Sequence, residues 1–166
     1  MVGRATRVPQ LTFANAGAVL RDTLLVGGIV FVAAAAGFFS RQVDAFSTFW
    51  PAEAVLIGLM VRNPALARPA TWAAAFSGYL LAGLLTGGDL ALVLWVSAAN
   101  LLSAIVGFTL FQQLPEGDRR LRLPRSIVYM FAIVLIAALV NAIVGGTVTA
   151  IAEPNAVWTG FVFWLS

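Results

Sequence analysis

The sequence predicts an all-α integral membrane protein. We expect a polytopic helical bundle with five complete spans, a truncated sixth span and a cytoplasmic N-terminus. Hydrophobic residues make up 61% of the chain and charged residues only 10%, whereas about 25% of a typical soluble domain is charged. The apolar residues also form long runs separated by short polar turns, which is the pattern of transmembrane helices.

Six apolar runs follow one another along the chain. Residues 1–22 are predicted to form a cytoplasmic arm, and residues 23–166 a transmembrane domain that is incomplete at its C-terminus. The predicted spans cover residues 23–39, 46–62, 70–85, 90–111, 126–152 and 156–166. The first run resembles a signal peptide in part, but the long leader before it and the spans after it favour an uncleaved anchor. The sixth run is shorter than the roughly 20 residues needed to cross a bilayer, so we expect a longer chain.

The arginines predict the orientation of these spans. Nine arginines fall on one side of the predicted topology and only Arg41 on the other. The nine are Arg4, Arg7, Arg21, Arg62, Arg68, Arg119, Arg120, Arg122 and Arg125. Because loops rich in basic residues stay in the cytoplasm, that side is predicted to be cytoplasmic. The net charge of +3 therefore reflects membrane topology, and no nucleic-acid partner is expected.

Several residue types that carry enzyme chemistry are absent from the sequence. The chain has no Cys and no His, so the usual ligands for zinc, haem and iron–sulfur clusters are missing. It also has no Lys, which excludes Schiff-base chemistry with retinal or pyridoxal phosphate. We therefore expect this segment to have no catalytic activity, no metal site and no cofactor.

The second apolar run contains a proline and a carboxylate. Pro51 predicts the start of a helix, because proline lacks the N–H that the first helical position leaves unpaired. A helix from Pro51 to Arg62 would be roughly 18 Å long at the helical rise, whereas the hydrocarbon core is about 30 Å thick. Glu53 would then lie in the first helical turn, below the membrane surface. There it either stabilises the helix N-terminus or faces a cavity, binding a cation or changing protonation.

Small and polar residues recur at four-residue steps in the fourth and fifth runs. They are Ala99, Ser103 and Gly107 in the fourth, and Ala137, Asn141, Gly145 and Thr149 in the fifth. Such faces allow helices to approach closely, and plain packing is the alternative to any binding role. The candidate ligand-binding residues are Trp50, Pro51, Glu53, Asn100 and Asn141.

Several motifs in this order resemble one family, the bacterial membrane-associated sensor domains of the first-described type. The shared features are Trp50-Pro51-Ala52 opening a helix, a basic turn at Arg62, a span led by Pro69 that contains Gly78, Asn100 in the next span, the arginine-rich loop, and the aromatic run from Trp158 to Trp164. The sequence departs from the family pattern at Glu53 and Ala54, where a Gly usually follows shortly after Trp-Pro.

This resemblance implies a sensory input region in the bacterial inner membrane, joined to a histidine kinase or to an enzyme that makes or degrades cyclic-di-GMP. Two other functions stay open. One is a structural accessory subunit of a larger respiratory or photosynthetic complex, and the other is a small-solute transporter. The expected partners are the lipid bilayer and either other membrane helices or a second copy of the chain.

Overall fold

The computed structural model describes residues 13–43, 50–119 and 123–152, with side chains described for residues 16–40, 50–119 and 123–147. The regular elements in these residues are all helical, which confirms the predicted all-α class. The helices are α1 (Phe13–Val43), α2 (Pro51–Arg62), α3 (Pro69–Leu85), α4 (Leu90–Gln113), α5 (Glu116–Arg119) and α6 (Pro124–Ala152), with one 3-10 turn at Pro64–Leu66.

The prediction of five complete spans is wrong. Within the described residues, three helices are long and apolar enough to cross a membrane: Ala16–Ser40 of α1, Leu90–Gln113, and Pro124–Thr147 of α6. Helix α2 has 12 residues and α3 has 17, which correspond to roughly 18 Å and 26 Å at the helical rise. Both fall short of a core about 30 Å thick, because each helix begins only at its proline. The predicted sixth span, residues 156–166, lies outside the described residues.

The three long apolar helices mark the chain as a membrane protein. Large apolar side chains remain exposed on the outer surfaces of α1 and α6, among them Leu24, Val32, Val128, Phe131 and Leu135. In a soluble protein such a surface would be costly, whereas lipid tails solvate it well. The buried interior is built largely from small side chains and Leu56, Met60 and Val30.

Glycines set the contact between α1 and α3. A Cβ added at Gly78 would lie 2.6 Å from the Gly27 carbonyl oxygen and 3.0 Å from the Phe31 nitrogen. A Cβ at Gly27 would lie 3.0 Å from the Ala74 carbonyl oxygen. Only glycine permits this approach of two backbones. Since later residues of α1 contact later residues of α3, the two helices run parallel.

A glycine motif joins α3 to α4. Gly87 has a φ of +85°, which glycine adopts at little cost. The Gly88 N–H donates to the Gly83 carbonyl at 3.1 Å, and the Gly87 N–H to the Leu84 carbonyl at 3.1 Å. This is a Schellman C-cap. The Asp89 carboxylate then caps α4 by accepting from the N–H groups of Ala91 and Leu92.

The arginine-bearing turns meet at one end of the bundle. Because α1 and α3 are parallel, the turn between α2 and α3 lies at the N-terminal end of α1. Helix α2 runs parallel to α4, since Ile57 would contact a Cβ at Gly107 and Glu53 lies close to Ser103. The C-terminus of α4 and the start of α6 therefore lie at this same end. The described arginines found there are Arg21, Arg62, Arg68, Arg119 and Arg125.

Candidate functional site

The site is organised around the start of α2. Pro51 occupies its first turn, as predicted, and Trp50 precedes it without a side-chain cap on the helix. The Trp50 ring packs edge-on against Phe38 of α1, with ring centroids 5.0 Å apart. A Cβ added at Gly37 would lie 2.5 Å from the Trp50 ring, so glycine there makes room for the indole. Trp50 thus anchors the beginning of α2 to α1.

Glu53 lies in the first turn of α2 and is partly buried. Its carboxyl group lies close to the hydroxyl group of Ser103 of α4. It is also close enough to Tyr79 of α3 for its charge to act on the phenol. The carboxyl group of α2 therefore lies near both α3 and α4, with two hydroxyl-bearing residues in its neighbourhood.

Ser103 and Asn100 of α4 and Tyr79 of α3 are buried polar residues of the helices near this carboxyl group. Ser103 is fully buried and donates its hydroxyl hydrogen to the backbone carbonyl of Asn100 at 2.9 Å. Asn100 is 2% exposed. Tyr79 is also 2% exposed, and its hydroxyl has no hydrogen-bond partner within the described residues. An unpaired buried hydroxyl costs free energy, typically about 1–3 kcal/mol.

The position of Ser103 gives the depth of the site. It lies thirteen residues after Leu90 and ten residues before Gln113, or roughly 20 Å and 15 Å from the two ends of α4 at the helical rise. Since α4 is one of the three helices that are long and apolar enough to cross a membrane, the Glu53 carboxyl lies beside the middle of a candidate span. Ionisable residues at this depth are costly and commonly mark function.

No basic side chain neutralises Glu53 in the part of the chain that the structure describes. Arg21 pairs with Asp22, and Arg125 pairs with Asp118. Arg62, on the same helix, is nine residues from Glu53, which is roughly 14 Å along the helix axis. The described residues also contain no group of His, Cys, Asp and Glu that would hold a metal ion. The site offers a carboxyl group and hydroxyl groups, a set suited to proton exchange or to hydrogen bonding.

Of the predicted site residues, the structure brings Trp50, Pro51, Glu53 and Asn100 to this region. Asn141 lies on α6, whose main partner is α4, on the buried face that includes Ala137 and Gly145. Its side-chain carbonyl oxygen is buried without a hydrogen-bond partner among the described residues. The four-residue face of α6 is thus a packing face as far as Gly145, and Thr149 lies outside the described side chains.

Tyr79 and Ser103 are site residues that the sequence analysis missed. Tyr79 is one of two tyrosines in the chain, and a phenol within an apolar run was the available signal. Ser103 was noted only as a small residue of a packing face. Neither its hydroxyl nor that of Tyr79 can be assigned to Glu53 from spacing, since the three residues belong to three different helices.

A second carboxylate cluster lies at the arginine-bearing end. The Asp118 side chain is 1% exposed and accepts two hydrogen bonds of 3.1 Å from Arg125, one to each oxygen. Ser126 donates a third at 2.9 Å. The bidentate hydrogen bonds from Arg125, with the Ser126 bond, hold the pKa of Asp118 below its usual range. This cluster ties α5 to the first turn of α6.

Comparison with known proteins gives no match to a family model, a curated protein or a solved structure.

Proposed function

We propose that the chain is the membrane-embedded sensory input region of a bacterial signalling protein. The observation that supports this most is the position of Glu53, an ionisable group that lies beside the middle of a candidate membrane span and close to a hydroxyl group of that helix. Such a group can respond to a change in its surroundings without any catalytic machinery. The residues shared with the membrane-associated sensor domains of the first-described type support the same proposal. We infer from that resemblance a histidine kinase or a cyclic-di-GMP enzyme as the output.

We place the protein in the bacterial inner membrane, with the arginine-bearing end in the cytoplasm. The convergence of both arginine-bearing turns at one end of the bundle supports this orientation. Since the chain has no cysteine, single replacements Arg68→Cys and Leu90→Cys can be labelled in intact cells. An impermeant reagent added outside is expected to label position 90 and to leave position 68 unlabelled. The reverse pattern would contradict the orientation.

The start of α2 favours a transporter as the second candidate. Discontinuous helices that begin at membrane depth often form transporter sites, and α2 begins beside the midpoint of α4. The structural accessory subunit is a less favoured candidate, because the small-residue faces pack against other helices of the same molecule. Gly27, Gly78 and Gly107 each meet another helix of the same molecule.

The coding sequence beyond Ser166 separates these functions. The sensory proposal predicts a kinase or cyclic-di-GMP domain after the membrane region. Additional spans with internal repeat symmetry would favour the transporter, and an early stop codon would favour the accessory subunit. Purified protein of the present length is expected to turn over neither nucleotides nor esters.

A further inference from the structure

Two exposed arginines border the turn between α2 and α3. Arg62 lies in the last turn of α2, and Arg68 directly precedes α3. Within the residues that the structure describes, neither side chain takes part in an ion pair or a hydrogen bond. The other three arginines described at this end each bond a side chain of the same molecule: Arg21 bonds Asp22, Arg119 bonds Gln112 and Arg125 bonds Asp118. Arg62 and Arg68 therefore present permanent positive charge and N–H donors to their surroundings.

The turn that carries these two arginines is short and anchored to the bundle. Five residues, 63–67, separate them. The Asn63 N–H donates to the Leu59 carbonyl at 3.0 Å, and the Leu66 N–H donates to the Asn63 carbonyl at 2.9 Å. Leu66 also packs against the hydrophobic core. Because this backbone is already ordered, a ligand shared by the two arginines would cost little conformational entropy in the turn.

An apolar outer surface begins at the same level of the bundle. Helix α1 runs parallel to α3, and the close approach of Gly27 to Ala74 places Leu20 and Leu24 level with residues 67–71. Leu20 is 59% exposed and Leu24 is 64% exposed. These leucines belong to a helix that is long and apolar enough to cross a membrane. Exposed positive charge and an exposed apolar surface thus meet at this end.

We propose that Arg62 and Arg68 bind the phosphate group of an anionic phospholipid whose acyl chains extend along the apolar outer surface of the bundle. Guanidinium groups form strong, often bidentate hydrogen bonds with phosphate oxygens. Basic residues beside a span also attract the anionic lipids of the adjoining leaflet. A soluble anion would match the charge of the turn but would not cover the exposed leucines. This lipid site goes beyond the proposed sensory function and does not depend on it.

Fluorescence quenching in vesicles tests the contact at the turn itself. Because the chain has no cysteine, Ala65→Cys places a single uncharged fluorophore at an exposed position of the 3-10 turn. The quencher is phosphatidylglycerol or phosphatidylcholine with a nitroxide near the top of one acyl chain, added to phosphatidylcholine vesicles that contain the labelled protein. We expect half-maximal quenching at a mole fraction about tenfold lower for phosphatidylglycerol than for phosphatidylcholine.

Neutral variants identify the arginines responsible for this preference. Arg62→Gln and Arg68→Gln should each lower it by about fivefold, since a basic residue near an anionic surface contributes about that factor. The double variant should be quenched equally by the two lipids. The matched control is Arg119→Gln, which removes one positive charge from the same end without releasing an acidic partner, because Arg119 bonds Gln112. This control should keep the preference of the parent.

Four results would overturn the proposal. Equal quenching of the parent by the two lipids would leave these arginines to a soluble acidic partner. A preference that survives in the double variant would place the lipid elsewhere, and an equal loss in Arg119→Gln would indicate only a diffuse field. Inorganic phosphate that abolishes the preference, at an ionic strength where sodium chloride does not, would assign the turn to a free anion.

These measurements separate the lipid site from the proposed sensory function, because they involve no signalling output. A failure of the quenching experiment leaves the sensory proposal to the coding sequence beyond Ser166. A gene without an output domain leaves the lipid site standing.

Discussion

Glu53 and Asp118 carry the same functional group in two different surroundings. Asp118 is held by two hydrogen bonds from an arginine and one from a serine at the end of the bundle. Glu53 lies close to a serine and a tyrosine, beside the midpoint of α4. An arginine fixes a carboxylate in its charged form, whereas hydroxyl groups can satisfy either protonation state. The comparison indicates a structural role for Asp118 and supports the proposal that Glu53 is a functional residue.

Among the changes that distinguish the two carboxylates, Glu53→Arg should have the largest effect on the yield of folded protein. It places a permanent positive charge at the depth of the site, where insertion scales give a penalty of roughly 3 kcal/mol. No acidic partner from the described helices faces that position. We expect little folded protein by size-exclusion chromatography, whereas the control Glu116→Arg, at an exposed position, should behave as the parent. A well-folded Glu53→Arg protein would mean that Glu53 faces water.

Arg125→Ala should have an intermediate and local effect. It removes both arginine hydrogen bonds from Asp118, leaving Ser126 as its side-chain donor among the described residues. We expect amide hydrogen exchange at Asp118 and Arg119 to accelerate about tenfold, as charge-assisted bonds of this kind are strong. Exchange around Tyr79 and Ser103 should not change. The matched control is Arg68→Ala, an exposed arginine at the same end of the bundle.

Acidification should have the smallest effect, and it separates the two carboxylates by pH. The folded pKa of Asp118 is lowered, so the stability that its ionised form contributes is present above the unfolded value of about 3.9 and is lost as pH falls through the folded pKa. Protection of the α5–α6 junction should therefore be constant from neutral pH down to about pH 4 and decline below it. Asp118→Asn should remove this decline. A decline that survives in Asp118→Asn would assign it to another group.

The sequence was sufficient to predict α2 but insufficient to count the spans. Pro51 and Arg62 bound α2 as predicted, because proline chemistry determines where a helix can begin. Hydropathy failed for the same segment, since it measures how apolar a run is and not whether one helix extends through it. The predicted second span began at residue 46, whereas helix α2 begins at Pro51.

The partners of the two carboxylates could not be predicted from sequence. Glu53, Tyr79 and Ser103 come from three helices, so their meeting depends on the glycine contacts that set α1 against α3 and α2 against α4. Arg125 was interpreted only as part of the charge asymmetry of its loop. Its contact with Asp118 depends on the break between α4 and α6, which brings a residue of α5 back over the start of α6.

The proposed sensory function is tested most directly by the pH response of the natural full-length protein carrying Glu53→Gln. Glutamine keeps the shape and the hydrogen-bonding capacity of glutamic acid but cannot release a proton. We expect Glu53→Gln to insert and fold normally and its output to be unchanged by pH, whereas Glu116→Gln should respond as the parent does. A Glu53→Gln protein whose output still follows pH as the parent's does would contradict the central role of Glu53.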